Sequence, residues 1–373
     1  MEHQLLRMVL KRVGLVFCLI CLVVIYSTYT DWEKQEVLSM ENTVASQIVK
    51  KEKNVDLQIL GNEQENQKKE VRKMLGDRYI AIKKNHAGAL PVQVEDLYCE
   101  KAVKLTIQNM QGETIDTEAI QLYVNHKKVK NTEKEAKQLI DNSKLSYKQM
   151  ADGSLELCMF LPISQVFGYV LYEDNENIYL DCKRPKDVYE HILVLDPGHG
   201  GTDTGSDACV GNWEEKDYNL DFVLRLEKQI QWDGWKVYCT RMDDRQVSLS
   251  DRVNFANEVE ADYFVSIHCN STDEIEGTGL EALYKSNTYK AESKDLAAEC
   301  MKELSMATGL KNRDLLDGQE IYIIRKANMP TVLLEMGFLT DPKDAAYLSK
   351  SENREKMMKT LSNALKSKFT KKG

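Results

Sequence analysis

Apolar residues along this chain fall into three regimes. The first is a nearly unbroken apolar run from Val13 to Tyr26, preceded by Arg7, Lys11 and Arg12. Basic residues before such a run are retained on the cytoplasmic side, so residues 1–30 are predicted to be a cytoplasmic tip and transmembrane signal anchor. No small-x-small cleavage site follows; the exit reads Tyr26, Ser27, Thr28, Tyr29. That favours retention as a single-pass anchor with the rest of the chain extracytoplasmic, whereas cleavage would give a secreted protein. Tyr26, Tyr29 and Trp32 suit an interfacial aromatic belt. Residues 31–90 then read as a polar linker or stalk. The helical spacing of Val37, Val44 and Ile48 fails at Lys51, which argues against a coiled coil.

The second regime, residues 91–185, consists of short alternating runs: Ala102–Ile107, Ile120–Val124, Leu155–Leu161, Tyr169–Tyr172 and Ile178–Leu180. Turn signals at Gln111–Gly112, Asp152–Gly153 and Asp174–Asn175 separate them, which predicts a small β-rich domain of the sandwich type. In the third regime, residues 190–370, strand and helix patterns alternate. Strands are expected at Ile192–Leu195, Trp235–Cys239, Tyr263–Ile267, Leu280–Tyr284, Ile321–Ile324 and Thr331–Leu334. Helices are expected at Glu215–Gln231, Leu249–Val259, Ser293–Thr308 with a Gly309 cap, and Asp344–Phe369. The fold class that follows is α/β. A largely parallel sheet is flanked by helices, with a smaller β-rich N-terminal domain and the N-terminal transmembrane anchor before it.

Length and composition agree: 373 residues, 42% hydrophobic and 29% charged, accommodate two packed domains and a stalk. The net charge is −9, and with +2 in residues 1–30 the exported remainder carries −11. That balance argues against nucleic acid as a partner and against attraction to anionic surfaces by bulk charge. Of nine cysteines, Cys18 and Cys21 lie in the apolar run. The other seven show no CxxC spacing and cannot all pair, so they are expected to be buried free thiols and not a thiolate zinc site.

Three predicted strands end in residues able to handle a metal or a proton. Ile192–Leu195 runs into Asp196-Pro197-Gly198-His199-Gly200-Gly201, Tyr263–Ile267 into His268, and Thr331–Leu334 into Glu335. Sites in open parallel sheets form beyond the carboxyl ends of strands, so these side chains should converge, and Glu215 opens a helix returning to that edge. Two histidines and one carboxylate, with a position left for water, form the ligand set of a catalytic zinc site. Only six histidines are present, and His199 and His268 alone sit at such strand ends.

These residues lie in a series of motifs: DPGHGG at 196–201, EKDYNL at 215–220, TRMDD at 240–244, LSDRVNFAN at 249–257, SIHCN at 266–270 and LLEMGFLTDP at 333–342. In that order the segment resembles the zinc-dependent N-acetylmuramoyl-L-alanine amidases, which cleave peptidoglycan. The resemblance implies Zn2+ held by His199, Glu215 and His268, with Glu335 as the catalytic carboxylate. It selects Glu215 over the adjacent Glu214 because the ligand directly precedes the lysine of the EK pair. Arg241 and Arg252 would have structural or substrate-edge roles, and Cys269 stands where a smaller residue is more usual. The implied reaction is hydrolysis of the amide between N-acetylmuramic acid and L-alanine, with peptidoglycan as partner, in cell-wall remodelling or lysis. The alternatives are a catalytically silent peptidoglycan-binding regulator of the same fold and a zinc peptidase acting on wall peptides. On texture alone, the β-rich domain resembles wall-binding modules of the AMIN type.

Overall fold

A computed structural model of the chain describes residues 64–85, 89–110, 114–272 and 277–370. The expected anchor, and the stalk up to residue 63, lie outside the described residues, as does the Gln111–Gly112 turn. Among the described residues no helix is long and apolar enough to cross a membrane.

The β-rich domain begins earlier than the polar texture suggests. After helix α1 (Gln64–Met74), strand β1 (Arg78–Lys83) lies in the middle of a five-stranded antiparallel sheet. Its neighbours are β4 (Ile120–Val124) and β9 (Asn177–Lys183), with β5 (Lys127–Lys128) and β8 (Gly168–Glu173) at the edges. The second sheet runs β2 (Val92–Leu97), β3 (Ala102–Met110), β7 (Leu155–Pro162), β6 (Lys144–Gln149), again antiparallel throughout. The linker predicted over 31–90 therefore contains a core strand. Tyr79 to Ile82 are consecutively buried, and four apolar residues amid polar ones give no alternation to betray them. Ile80, Ile82, Leu122 and Leu180 of one sheet share a core with Val103, Leu105, Ile107, Leu157 and Met159 of the other. Helix α2 (Lys134–Asn142) adds Ala136 and Leu139 to it.

Beyond the short helix α3 (Pro185–Val188), a six-stranded sheet organises the C-terminal domain. Its order is β11 (Trp235–Cys239), β10 (His191–Pro197), β12 (Tyr263–Asn270), β15 (Thr331–Phe338), β13 (Leu280–Tyr284), β14 (Asn312–Asp317). Only the β13–β15 pairing is antiparallel; the other four run parallel. Successive side chains face opposite layers, as the strand period of two requires. Leu193, Leu195, Val265 and Ile267 pack with α4 (Glu215–Gln229), α6 (Lys290–Thr308) and α9 (Ser351–Thr370). Ile192, Val194 and Phe264 pack instead with α5 (Leu249–Glu258) and α7 (Tyr322–Lys326).

Two expectations need correction. The strand predicted at Ile321–Ile324 is helix α7; a four-residue apolar run carries no period, and adjacent Ile323 and Ile324 are both buried in a helical turn. The helix predicted from Asp344 to Phe369 is two, α8 (Pro342–Leu348) and α9, with a break at residues 349–350. The edge strand β14, sequence NRDLLD, has no unbroken apolar face and had escaped the sequence pattern. Gly309 caps α6 in the left-handed conformation at φ 76°.

Candidate metal centre

The site lies where β10, β12 and β15 end. β10 ends in Asp196 and Pro197, and the chain then turns sharply, with His199 itself in the left-handed region at φ 58°. A histidine in that conformation is uncommon and must be held by its surroundings. Arg252 donates to the His199 carbonyl at 2.6 Å, to the Pro197 carbonyl at 2.7 Å and to Asp196 Oδ1 at 2.6 Å. Arg241, fully buried, donates to the carbonyls of Pro197, Gly198 and Lys216. These two arginines brace the backbone around the site. Asp196 also accepts from Thr240 and Ser266; burial pushes its carboxyl up, but Arg252 and these hydroxyls outweigh that and hold it below the ordinary range.

His199 Nδ1 lies 2.9 Å from Asp203 Oδ1, which turns Nε2 inward, 3.2 Å from Glu215 Oε1. A carboxylate on the outer nitrogen is the usual way a metal-binding imidazole is oriented. Glu215 is the first residue of α4 and only 5% of its side chain is exposed, against 37% for Glu214. Glu214 is the N-cap, exchanging hydrogen bonds with Asp217 in a capping box. The structure thus turns Glu214 to the helix end and Glu215 into the site. His268, on β12, presents Nδ1 3.0 Å from the same Glu215 Oε1. One ligand atom from each of His199, Glu215 and His268 lies within 4.8 Å of the others.

Electrostatics follow from this crowding. Burial would raise the Glu215 carboxyl, but hydrogen bonds and charges from both histidines drive it well below the carboxylate range. Burial would lower His199, yet Glu215 and Asp203 raise it to about 9. Two imidazoles and an ionised carboxylate facing one point are a donor set that fits zinc, which takes nitrogen and oxygen ligands in this combination. The backbone leaves room for it. A Cβ on Gly198 would lie 2.2 Å from the His268 ring, and one on Gly205 would lie 2.5 Å from Glu215 Oε2.

Glu335 sits opposite His268 in the β12–β15 register and opposite Glu281 in the β13–β15 register. Its Oε2 atom is buried with no hydrogen-bond partner. Burial, with the nearby Glu215 and Glu281 carboxylates, pushes its pKa up to about 7 against the opposing pull of His268 and His199. Cys269 is fully buried; burial first, then Glu215 and Glu335, keep its thiol protonated. The other described cysteines are also free, and all but Cys209 are at least partly buried.

Sequence reasoning did not single out Asp203, Asn219 or Asp344. Asn219, one helical turn beyond Glu215, donates to Glu215 Oε1 at 3.4 Å and to the Gly198 carbonyl at 3.3 Å. Asp344 accepts from the Phe338 and Gly279 amides, tying the end of β15 to the start of β13. The i, i+4 spacings His199–Asp203 and Glu215–Asn219 were the available signals.

A profile of the family described as N-acetylmuramoyl-L-alanine amidase matches residues 193–367. Over 175 residues, 47% of this chain, it is 33% identical to the N-acetylmuramoyl-L-alanine amidase LytC of Bacillus subtilis (strain 168), of whose length it spans 34%. It is 30% identical over 196 residues to the germination-specific N-acetylmuramoyl-L-alanine amidase of the same organism, covering 49% of this chain and 81% of that protein. The crystal structure of N-acetylmuramoyl-L-alanine amidase from Clostridium difficile 630 is 31% identical, with 49% of this chain and 98% of that one covered at a TM-score of 0.47. The matched segment starts in β10 and ends in α9, so it contains His199, Glu215, His268 and Glu335, and through it the chain belongs to the N-acetylmuramoyl-L-alanine amidase family.

Proposed function

We propose that the protein is a zinc hydrolase of peptidoglycan that cuts the amide between N-acetylmuramic acid and L-alanine. The observation that carries this reading is the convergence of His199, Glu215 and His268, with Glu335 in register beside His268. The two histidines and Glu215 would hold the ion. Bound there, zinc supplies Lewis-acid chemistry, activating water near neutral pH and polarising the scissile carbonyl.

The protein's own groups do the rest. Asp203 fixes the His199 ring, and Asn219 with the Cys269 amide, 3.2 Å away, fixes Glu215. Glu335 takes a proton from the attacking water and passes it to the departing L-alanine amine, a task suited to a carboxyl held near neutral pH. The unpartnered Oε2 leaves that oxygen free for the transfer. The basic residues before the apolar run at 13–26 support anchoring in the cell membrane, with the catalytic domain outside and facing the wall.

Zinc content and muropeptide turnover, measured on wild type, Glu335→Gln and His268→Ala, test the assignment. Glu335→Gln should keep its zinc and lose about 10²- to 10⁴-fold in turnover, the span of general acid–base catalysis. His268→Ala should lose the zinc. Full turnover by Glu335→Gln would refute the proton-transfer role, and full zinc in His268→Ala would refute the ligand set.

A further inference from the structure

Among the described residues, one contact of the β-rich domain with the metal-site domain leads toward the candidate ligands. Between β2 and β3 the chain makes a 3-10 turn, Tyr98–Glu100, which reaches into the C-terminal domain. The Tyr98 ring is buried edge-on against Tyr238, with centroids 4.9 Å apart, and stacks on Phe255 at 5.8 Å. Its hydroxyl accepts from the Cys239 amide at 3.0 Å and donates to Met242 Sδ at 3.3 Å. Next to it, Arg245 donates to the Cys99 carbonyl at 2.9 Å and to Glu100 Oε1 at 3.2 Å. Tyr98 thus holds the loop of residues 240–246 at Met242 and at Cys239 just before it, and Arg245 ties its far part to the same turn.

That loop in turn grips the backbone next to two of the three candidate ligands. Arg241 bonds the carbonyls of Gly198, beside His199, and of Lys216, beside Glu215. Asp244 accepts from the Gly201 amide at 2.8 Å and from Lys216 Nζ at 2.9 Å. The Arg245 carbonyl packs so closely on Gly200 that a Cβ there would lie 2.3 Å from it. A displacement of the loop therefore cannot be absorbed without moving the His199 turn, which is already held in a left-handed conformation.

We infer that the Tyr98–Glu100 turn of the β-rich domain is a positioning element of the metal centre. It clamps loop 240–246 from outside, and Tyr98 and Arg245 act as positioning residues for His199 and Glu215. This rests on the zinc-hydrolase reading above. The domain's contribution to the reaction then includes holding the ligands at their working separation, whatever else it binds. Packing of this kind transmits position because tightly filled interiors have few alternative arrangements. Residues behind first ligands cost about 10- to 100-fold in metal affinity or activity when lost; a clamp one layer further out should cost less.

The test uses the full-length zinc-loaded protein. Tyr98→Phe keeps the ring and removes the hydroxyl; Arg245→Met removes the latch, and Arg245→Lys restores part of it. Glu258→Leu, which removes the acceptor, is the control. Glu258 accepts from the Val166 amide at 2.9 Å at the same domain junction but away from the loop. The readouts are zinc release into excess chelator, kcat and KM on muropeptides, and thermal unfolding. Tyr98→Phe and Arg245→Met should release zinc about three- to tenfold faster and lower kcat with KM nearly unchanged, with Arg245→Lys in between. Glu258→Leu should release zinc at the wild-type rate even if it melts earlier. Unchanged release and kcat in both Tyr98→Phe and Arg245→Met would overturn the clamp. So would equal acceleration by Glu258→Leu, which would trace the effect to domain docking as a whole. Wild-type protein that takes up no zinc would take down the metal-centre reading along with the clamp, a result distinct from the other two.

Discussion

Replacing Gly198 with alanine separates the fold from the metal site more sharply than removing a ligand does. The added methyl would stand 2.2 Å from Cε1 and Nε2 of His268 and 2.6 Å from Nδ1, whereas ordinary contact begins at 3.4 Å. The ring or the turn must therefore give way by about 1.2 Å. Gly198 does not occupy the left-handed region, so alanine meets no backbone strain there and reduces the freedom of the unfolded chain. The collision falls almost wholly on His268, whose Nδ1 faces Glu215. A misplacement of about 1 Å in a catalytic arrangement costs about 100-fold. A loss of 10- to 100-fold in zinc affinity corresponds to about 1.4–2.7 kcal/mol. Competition against a chromogenic chelator gives the affinity, and circular dichroism melting gives the stability. Gly198→Ala should fold like wild type without metal and bind zinc at least tenfold more weakly. Wild-type zinc affinity with wild-type turnover would show that His268 does not occupy the position argued here.

Other consequences concern the groups behind the proposed ligands. Arg252→Met leaves Asp196 buried without its cationic partner, both side chains being at most 3% exposed, and should destabilise the domain by about 3–5 kcal/mol in denaturant titration. Asp196 has a depressed folded-state pKa, so its stabilising effect is complete above the unfolded carboxylate value of about 4 and is lost as pH falls through the lower folded value. Unfolding free energy measured from pH 5 downward should accordingly fall more steeply for wild type than for Asp196→Asn. Asn219→Ala should keep the fold while weakening zinc binding, because Glu215 then loses one of the groups that orient it; unaltered zinc release kinetics would contradict this.

Much of this was legible in the sequence because apolar strand residues lead directly to the polar chemistry. His268 and Glu335 lie in the C-terminal halves of β12 (Tyr263–Asn270) and β15 (Thr331–Phe338), toward the edge where parallel sheets gather ligands. The choice between Glu214 and Glu215 rested on resemblance alone, since adjacent residues share one periodicity. The structure sets them apart through the capping box, which uses Glu214 and frees Glu215. Strand β1 and strand β14 were missed for opposite reasons. β1 is buried on both sides and so does not alternate, while β14 is an edge strand with polar residues along it. Tyr98 could not have been found from sequence, because its partners Cys239, Met242 and Phe255 lie more than 140 residues away. Tertiary packing alone brings them together.

The central claim is a reaction, and product identification tests it most directly. Zinc-loaded protein is incubated with purified muropeptides, and the new ends are counted by amine labelling and by reducing-sugar assay, with mass spectrometry to assign them. The account predicts stem peptides carrying free L-alanine amines, intact glycan ends, and no product once the zinc is chelated. New amines at peptide bonds within the stem, or no cleavage by fully zinc-loaded enzyme, would contradict it.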